Sequence, residues 1–287
     1  MVKRGKNMDN ATRSLKGSAK SVAKRTIGTS LGKRAFQGIP ALRDRIKHQA
    51  ELSYWRGQLK LLHAWFVDGT SDWWGLPPVP PEKKLELSDI WITNAVLTMH
   101  KVRPTYHEEL QVERGEFKGE RVLEIGCGPL APILQFDDCE RHGIDPLLDR
   151  YIEAGWPLYD YDSRLLNVRG ENLPYPDNWF GSVISVNVLD HVDDFQAVAK
   201  EMIRVLKPGG RIIFEVEYHH EPTLTEPITL NDGVIADAFG SIDMAKVRDL
   251  SAQQLFCNLT ERFGLRGNIA DQLGSGERWV LWNGVKR

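Results

Sequence analysis

An apolar run, Val122-Leu123-Glu124-Ile125, leads directly into Gly126-Cys127-Gly128-Pro129-Leu130. Glycine is needed where a chain turns sharply and where backbone must approach a ligand with no Cβ in the way. A strand ending in such a turn, at the head of a helix, offers its backbone to a nucleotide-like cofactor. Farther on, at the end of the next apolar run, Asp145 stands in Gly143-Ile144-Asp145-Pro146. A carboxylate there can accept hydrogen bonds from both hydroxyls of a ribose. It can equally cap a helix that begins at Pro146 or Leu147.

Two cofactor chemistries fit this pair of features. Gly126-x-Gly128-x-x-Ala131 satisfies the dinucleotide pattern of dehydrogenases, in which a pyrophosphate rests on the turn and the helix N-terminus. S-adenosyl-L-methionine has no pyrophosphate and presents a cationic sulfonium with an amino-acid tail. An acidic residue inside the motif, Glu124, suits that ligand better. Pro129 and Leu130 remove the third glycine of either pattern, so the loop taken alone leaves both open.

Methyl transfer from a sulfonium is an in-line displacement, so the protein must align the reactants and remove a proton from the acceptor. The histidines that can serve are His191, after the fourth expected strand, and His219-His220, after the fifth. A divalent-metal reading of His219, His220 and Glu226 is weaker, because loop ligands at uneven spacing make a poor site; no metal is expected. The aromatics Trp55, Trp65, Phe66, Trp73, Trp74 and Trp91 either line an acceptor pocket or dock a helix onto the core.

The elements that must position these residues follow from periodicity. Strands are expected at Arg121 to Cys127, His142 to Asp145, Leu165 to Arg169, Ser182 to Leu189 and Arg211 to Glu217, with helices between them. A last antiparallel pair is expected at Leu265 to Leu273 and Trp279 to Lys286. Such alternation builds a parallel sheet covered on both faces. Upstream, Leu42, Ile46, Leu52, Trp55, Leu59, Leu62 and Phe66 draw an apolar stripe along a helix over 41–67. The Pro-rich run 76–81 ends that stretch, and a second helix is expected from a cap at Ser88 to before Pro104. Residues 41–113 thus read as a helical lid ahead of a catalytic domain at 114–287.

The chain has 287 residues, 41% hydrophobic and 26% charged, with a formal net charge of -2. Residues 1–50 hold 13 Lys/Arg against only Asp9 and Asp44, so the remainder is acidic. Residues 1–40 read as a basic tail that buries too little surface to order itself. An anionic membrane surface is its candidate partner, and its composition also resembles an organelle transit peptide. Cys127, Cys139 and Cys257 show no metal-ligand spacing and fit reduced thiols, hence a cytoplasmic setting. No apolar run approaches the roughly 18 residues a membrane span needs.

Four segments in order resemble the successive motifs of class I methyltransferases, in particular the small-molecule group called type 11. They are Leu123-Glu124-Ile125-Gly126-Cys127-Gly128, then Gly170-Glu171-Asn172-Leu173-Pro174-Tyr175-Pro176-Asp177-Asn178-Trp179-Phe180, then Leu189-Asp190-His191-Val192-Asp193-Asp194, then Arg204-Val205-Leu206-Lys207-Pro208-Gly209-Gly210. The resemblance implies a three-layer Rossmann-like α/β fold with a mostly parallel seven-stranded sheet and an antiparallel C-terminal edge strand. It also implies S-adenosyl-L-methionine as cofactor. By position, Glu124, Gly126, Cys127 and Gly128 would hold the methionine part, Asp145 the ribose, and Gly170, Glu171, Asn172 and Leu173 the adenine, with Asn187 on the methionine side. The family's Asp-Ala before the Glu is replaced here by Arg169-Gly170, which passes the adenine amine to Glu171 or Asn172; Gly181 stands where the family commonly has Asp. No Asn-Pro-Pro-Tyr or Pro-Cys element follows the fourth strand, which counts against nucleic acid and favours a small acceptor. Oxygen of a sugar, a lipid-linked glycan or a secondary metabolite is the expected target. A nicotinamide-dependent oxidoreductase and a non-catalytic protein on the same fold are the rivals.

Overall fold

The computed structural model describes residues 40–71, 73, 76, 90–102, 106–223, 226–251 and 277–287. The basic segment before residue 40, the Ser88 cap, Trp74, Cys257 and the expected strand at Leu265 to Leu273 lie outside the described residues. Seven strands form one sheet: β1 (Arg121–Ile125), β2 (Glu140–Ile144), β3 (Arg164–Leu166), β4 (Phe180–Val186), β5 (Leu206–Tyr218), β6 (Ile242–Ser251) and β7 (Arg278–Lys286). Their order is β3-β2-β1-β4-β5-β7-β6. The first five run parallel, and β7 pairs antiparallel with both β5 and β6.

The expected α/β fold is therefore present, with one difference at its edge. The C-terminal strand β7 lies one place inside, and the edge is β6, which the sequence pattern did not reveal. Four of its ten residues, IDMAKVRDLS, are charged, and a register shift between Lys246 and Arg248 breaks the alternation that would have marked a strand. Charge and a bulge are how sheets blunt an exposed edge, so the features that hide β6 in the sequence suit it to its place.

Alternation sends successive side chains of β1 to opposite layers. Leu123 and Ile125 join Val183, Ile212 and Phe214 under α5 (Phe195–Val205) and α6 (Asp232–Ala238). The stripe Phe195, Val198, Ala199, Met202 and Val205 buries one face of α5, which Asp194 caps by accepting from the Ala197 amide at 3.0 Å. Val122 faces the other layer, which consists of α1 (Pro40–His63), α2 (Trp91–Val102), α3 (Tyr106–Glu109) and α4 (Leu148–Glu153). A π-helical turn, Ala64–Asp68, ends α1, and Gly69 closes it in the left-handed conformation.

The segment expected as a lid shares one hydrophobic core with the sheet: Leu62, Trp65, Phe66, Ala95, Val96, Tyr106 and Leu110 pack in the same cluster as Val122, Ile184 and Leu281. Trp65, Phe66 and Trp73 are fully buried and dock these helices. Trp91 is half-buried and meets His63 edge-to-face at 5.1 Å.

Candidate functional site

β1 stops at Ile125, two residues before the expected end, because Gly126 turns at φ 75° and Gly128 at φ 54°. A Cβ on Gly126 would lie 2.3 to 2.9 Å from Val188, so its neighbour demands glycine as well as its φ does. The expected helix after this turn does not form. Ala131 adopts φ 42°, and a single 3-10 turn, Pro132–Gln135, leads on toward β2. The left-handed backbone at Ala131 breaks the run, and Pro132 has no amide hydrogen to bond back to the Gly128 carbonyl. No α-helix therefore follows the Gly126–Gly128 bend directly.

What holds the bend is the layer of helices beside it. Alternation puts Glu124 on the same face as Val122, where it is 2% exposed. The Tyr106 hydroxyl donates to Glu124 Oε1 at 2.6 Å, and the Ile133 amide donates to Oε2 at 3.1 Å. Burial raises its carboxyl pKa to about 7, against the pull of those two donors. Gln135 Oε1 accepts from the Tyr106 amide at 3.0 Å, while its amide nitrogen lies 3.0 Å from His100 Nδ1. His100 Nε2 lies 2.8 Å from the Leu130 carbonyl, so it carries the proton and Nδ1 accepts. Burial keeps that imidazole neutral, with its pKa lowered to about 4.

Asp145 follows β2 and is 8% exposed. Its Oδ1 accepts from the Leu147 amide at 2.8 Å and its Oδ2 from the Gly128 amide at 3.2 Å. Both readings of Asp145 thus meet in one carboxylate: it restrains the turn into α4 and it touches the glycine bend. Burial raises its pKa to about 7, and the nearby charge of Glu51 adds to the rise.

Strand order reverses between β1 and β4, which is where open α/β sheets hold their ligands. A cavity of about 630 Å³ opens there, of ordinary size for a small-molecule site. Glu124, Gly126, Cys127, Gly128, Asp145, Gly170, Glu171 and Asn187 line it, as does His191. Asn172 and Leu173 do not. Asn172 is exposed, and Leu173 turns into the α5 core, its amide donating to Glu201 at 2.7 Å. Glu171 Oε1 accepts from the Asp193 and Asp194 amides at 3.0 and 3.3 Å, which ties it to the turn before α5.

Of the three candidate bases, only His191 reaches the cavity wall. His219 is buried behind it with Nε2 3.1 Å from Asp190 Oδ2, and His220 is exposed. The reason is that β5 runs on to Tyr218, one residue past its expected end, and hands His219 to the carboxylate that follows β4. His191 Nε2 lies 3.6 Å from that same Asp190 oxygen.

Several lining residues come from α1 and were not singled out from the sequence: Lys47, His48, Glu51 and Tyr54, beside the expected Trp55. Their spacing is that of one helix face, adjoining the apolar stripe, and it was the available signal. Trp55 Nε1 donates to Glu51 Oε1 at 2.8 Å, and the indole meets Trp156 and Tyr151 edge-on at 5.7 and 6.3 Å. Lys47 donates to the His191 carbonyl. Arg169 bridges Asp44 of α1, at 2.7 Å, and Asp193.

Residues 123–214 match the family described as methyltransferase domain. That match falls on β1 to β5 of the sheet, the parallel part of a Rossmann-like fold. The domain is 34% identical over 113 residues to a sterol 24-C-methyltransferase of Aspergillus fumigatus, a match covering 36% of this chain and 30% of that protein. It is likewise 34% identical over 140 residues to a ubiquinone/menaquinone biosynthesis C-methyltransferase of Pseudomonas putida, covering 42% of this chain and 51% of that one. The chain thus spans between about a third and about half of the length of these curated relatives. A geranyl diphosphate C-methyltransferase from Streptomyces coelicolor shares the fold, with a TM-score of 0.50 and 15% identity over 80% of this chain and 97% of its own. Among the described residues, no helix is long and apolar enough to cross a membrane.

Proposed function

We propose that this chain transfers a methyl group from S-adenosyl-L-methionine to a small-molecule acceptor. The observation that carries this reading is the cavity at the β1/β4 switch, bounded by the Gly126–Gly128 bend and Asp145, where the bend runs on into a 3-10 turn rather than an α-helix. A dinucleotide's pyrophosphate rests on the helix that follows such a glycine bend, and that helix does not follow this one, whereas a sulfonium needs none. The family of residues 123–214 supports the same reading.

Bound in this cavity, the cofactor supplies an activated methyl group. The glycine bend gives backbone contact without side-chain bulk, and Asp145 offers a carboxylate to ribose hydroxyls. Gly170 and Glu171 edge the adenine side. The α1 face carrying Glu51 and Trp55 closes the opposite wall and excludes water. His191 is the base best placed to take the acceptor's proton, held through its carbonyl by Lys47 and with its ring beside Asp190. Glu226 also lines the cavity and is the second group able to accept a proton.

The acceptor atom is read in two ways. The sequence favoured oxygen of a sugar, lipid-linked glycan or secondary metabolite; the names of the relatives favour carbon of an apolar substrate. Tyr54, Trp55, Val188 and Val192 on the wall suit the apolar body that either acceptor class can carry. Thermal-shift measurements with S-adenosylhomocysteine and with NADH test the cofactor. Stabilisation by the first alone is expected; stabilisation by NADH alone transfers the chain to the oxidoreductases, and by neither to a non-catalytic role.

A further inference from the structure

Beyond that reaction, and independent of it, lies a cluster at the far end of β5. Antiparallel pairing sets Glu217 opposite Trp279 and Tyr218 opposite Arg278. The same register carried one residue on brings Glu277 opposite His219. Glu217, His219 and Glu277 each offer a ligand atom, and these atoms all lie within 4.8 Å of one another. The expectation of no metal rested on His220 and Glu226, which the sequence placed with His219; the partners here come instead from neighbouring strands.

We propose that Glu217, His219 and Glu277 bind one divalent first-row transition cation. The state of His219 is the first support. Fully buried Asp190 takes its Nε2 proton at 3.1 Å, leaving the Nδ1 lone pair turned toward Glu217. A carboxylate on one ring nitrogen that frees the other is the usual outer support of a metal-bound imidazole. The second support is spacing. His219 Nδ1 and Glu217 Oε1 stand 3.6 Å apart, too far for a hydrogen bond. Two ligand atoms about 2.1 Å from a tetrahedral ion are about 3.4 Å from each other. Charge is the third. Glu217 and Glu277 are the two carboxylates that can balance a dication beside the His219 imidazole, with Glu217 partly buried and His219 buried. Imidazole with two carboxylates is a donor set for zinc, iron or manganese.

Calorimetry of the full chain, stripped with EDTA and desalted, tests this with ZnCl₂ and with MnCl₂ separately. One equivalent of at least one ion is expected, weakened tenfold or more by Glu217→Gln and by Glu277→Gln. Asp190→Asn should weaken it by about 10- to 100-fold, while His63→Ala, at an exposed His-Asp pair, should leave it unchanged. Glu277 stands just before β7 while Glu217 lies within β5, so Glu277→Gln serves if Glu217→Gln fails to fold, as read from circular dichroism in EDTA. Binding of neither ion, or binding equal in wild type and Glu277→Gln, overturns the proposal and leaves a hydrogen-bonded His-carboxylate cluster.

Discussion

Tyr106 and Glu124 meet through a 2.6 Å hydrogen bond between a hydroxyl and a carboxylate that are both buried. It joins the helical layer to the strand that ends in the glycine bend. Glu124 has its two oxygens committed, one to Tyr106 and one to the Ile133 amide. An acid that the sequence suggested as a cofactor ligand therefore also braces the loop that the cofactor would touch.

Tyr106→Phe should lower stability by about 1 to 3 kcal/mol, the range for leaving a buried charged acceptor short of a donor. In a domain of this size that is a fall in Tm of several degrees. Glu124→Gln keeps an acceptor for Tyr106 and should cost less. Thermal denaturation of the two variants checks the order, and equal losses would deny Tyr106 its bracing role.

The two glycines of the bend should respond differently to alanine. At Gly126 the left-handed backbone and contact below 3 Å with Val188 act together, so Gly126→Ala should destabilise strongly. At Gly128 the nearest atom to a new Cβ is Trp55 Cζ2 at 3.8 Å, so Gly128→Ala bears only the left-handed penalty of about 1 to 2 kcal/mol. Its larger effect should be on affinity for S-adenosylhomocysteine, because the Cβ enters the cavity. Comparing Tm with calorimetric Kd separates the two variants.

The parallel core was legible because β1, β4 and β5 are buried on both faces and read as apolar runs. β6 was not, since an edge strand with charges on both faces and a bulge shows neither alternation nor a run. Gly126, Gly128 and Asp145 could be picked out by type and spacing. His219 could not be placed from its position alone, because its partner Asp190 is 29 residues away in sequence and the β4 and β5 ends meet only in the fold. The α1 contribution was half legible: periodicity gave the helix and its apolar stripe, while which polar neighbours would look into the cavity depended on how α1 packs.

Arg169 clasps α1 to the turn before α5 by pairing with Asp44 and Asp193, and it stands where the family commonly has Asp. The guanidinium is partly exposed, so Arg169→Ala should change global stability by about 1 kcal/mol or less. Local opening is another matter. Hydrogen exchange should quicken along α1 near Asp44 and Lys47, with a matching loss of cofactor affinity. Exchange unchanged in α1 would show that apolar packing alone seats the helix.

Asp145 gives opposite pH dependences to folding and to ligand binding. Its folded pKa, raised to about 7 from an ordinary value of 3.8, means the native state holds a proton that the unfolded chain releases above pH 4. Its contribution to stability is therefore fully present below pH 4 and is lost as pH rises through 7. A ribose donates to the ionised form, so affinity for S-adenosylhomocysteine should strengthen by about tenfold from pH 6 to pH 8, while the Tm of the ligand-free protein falls. Glu51 and Lys47 face Asp145 from α1, and Glu124 titrates in the same range beneath Tyr106. Asp145→Asn should flatten the binding profile and weaken affinity at pH 8, whereas Glu124→Gln should leave the slope in place. Calorimetry across that pH range decides it, and affinity that is flat or stronger in acid would remove Asp145 from the ribose.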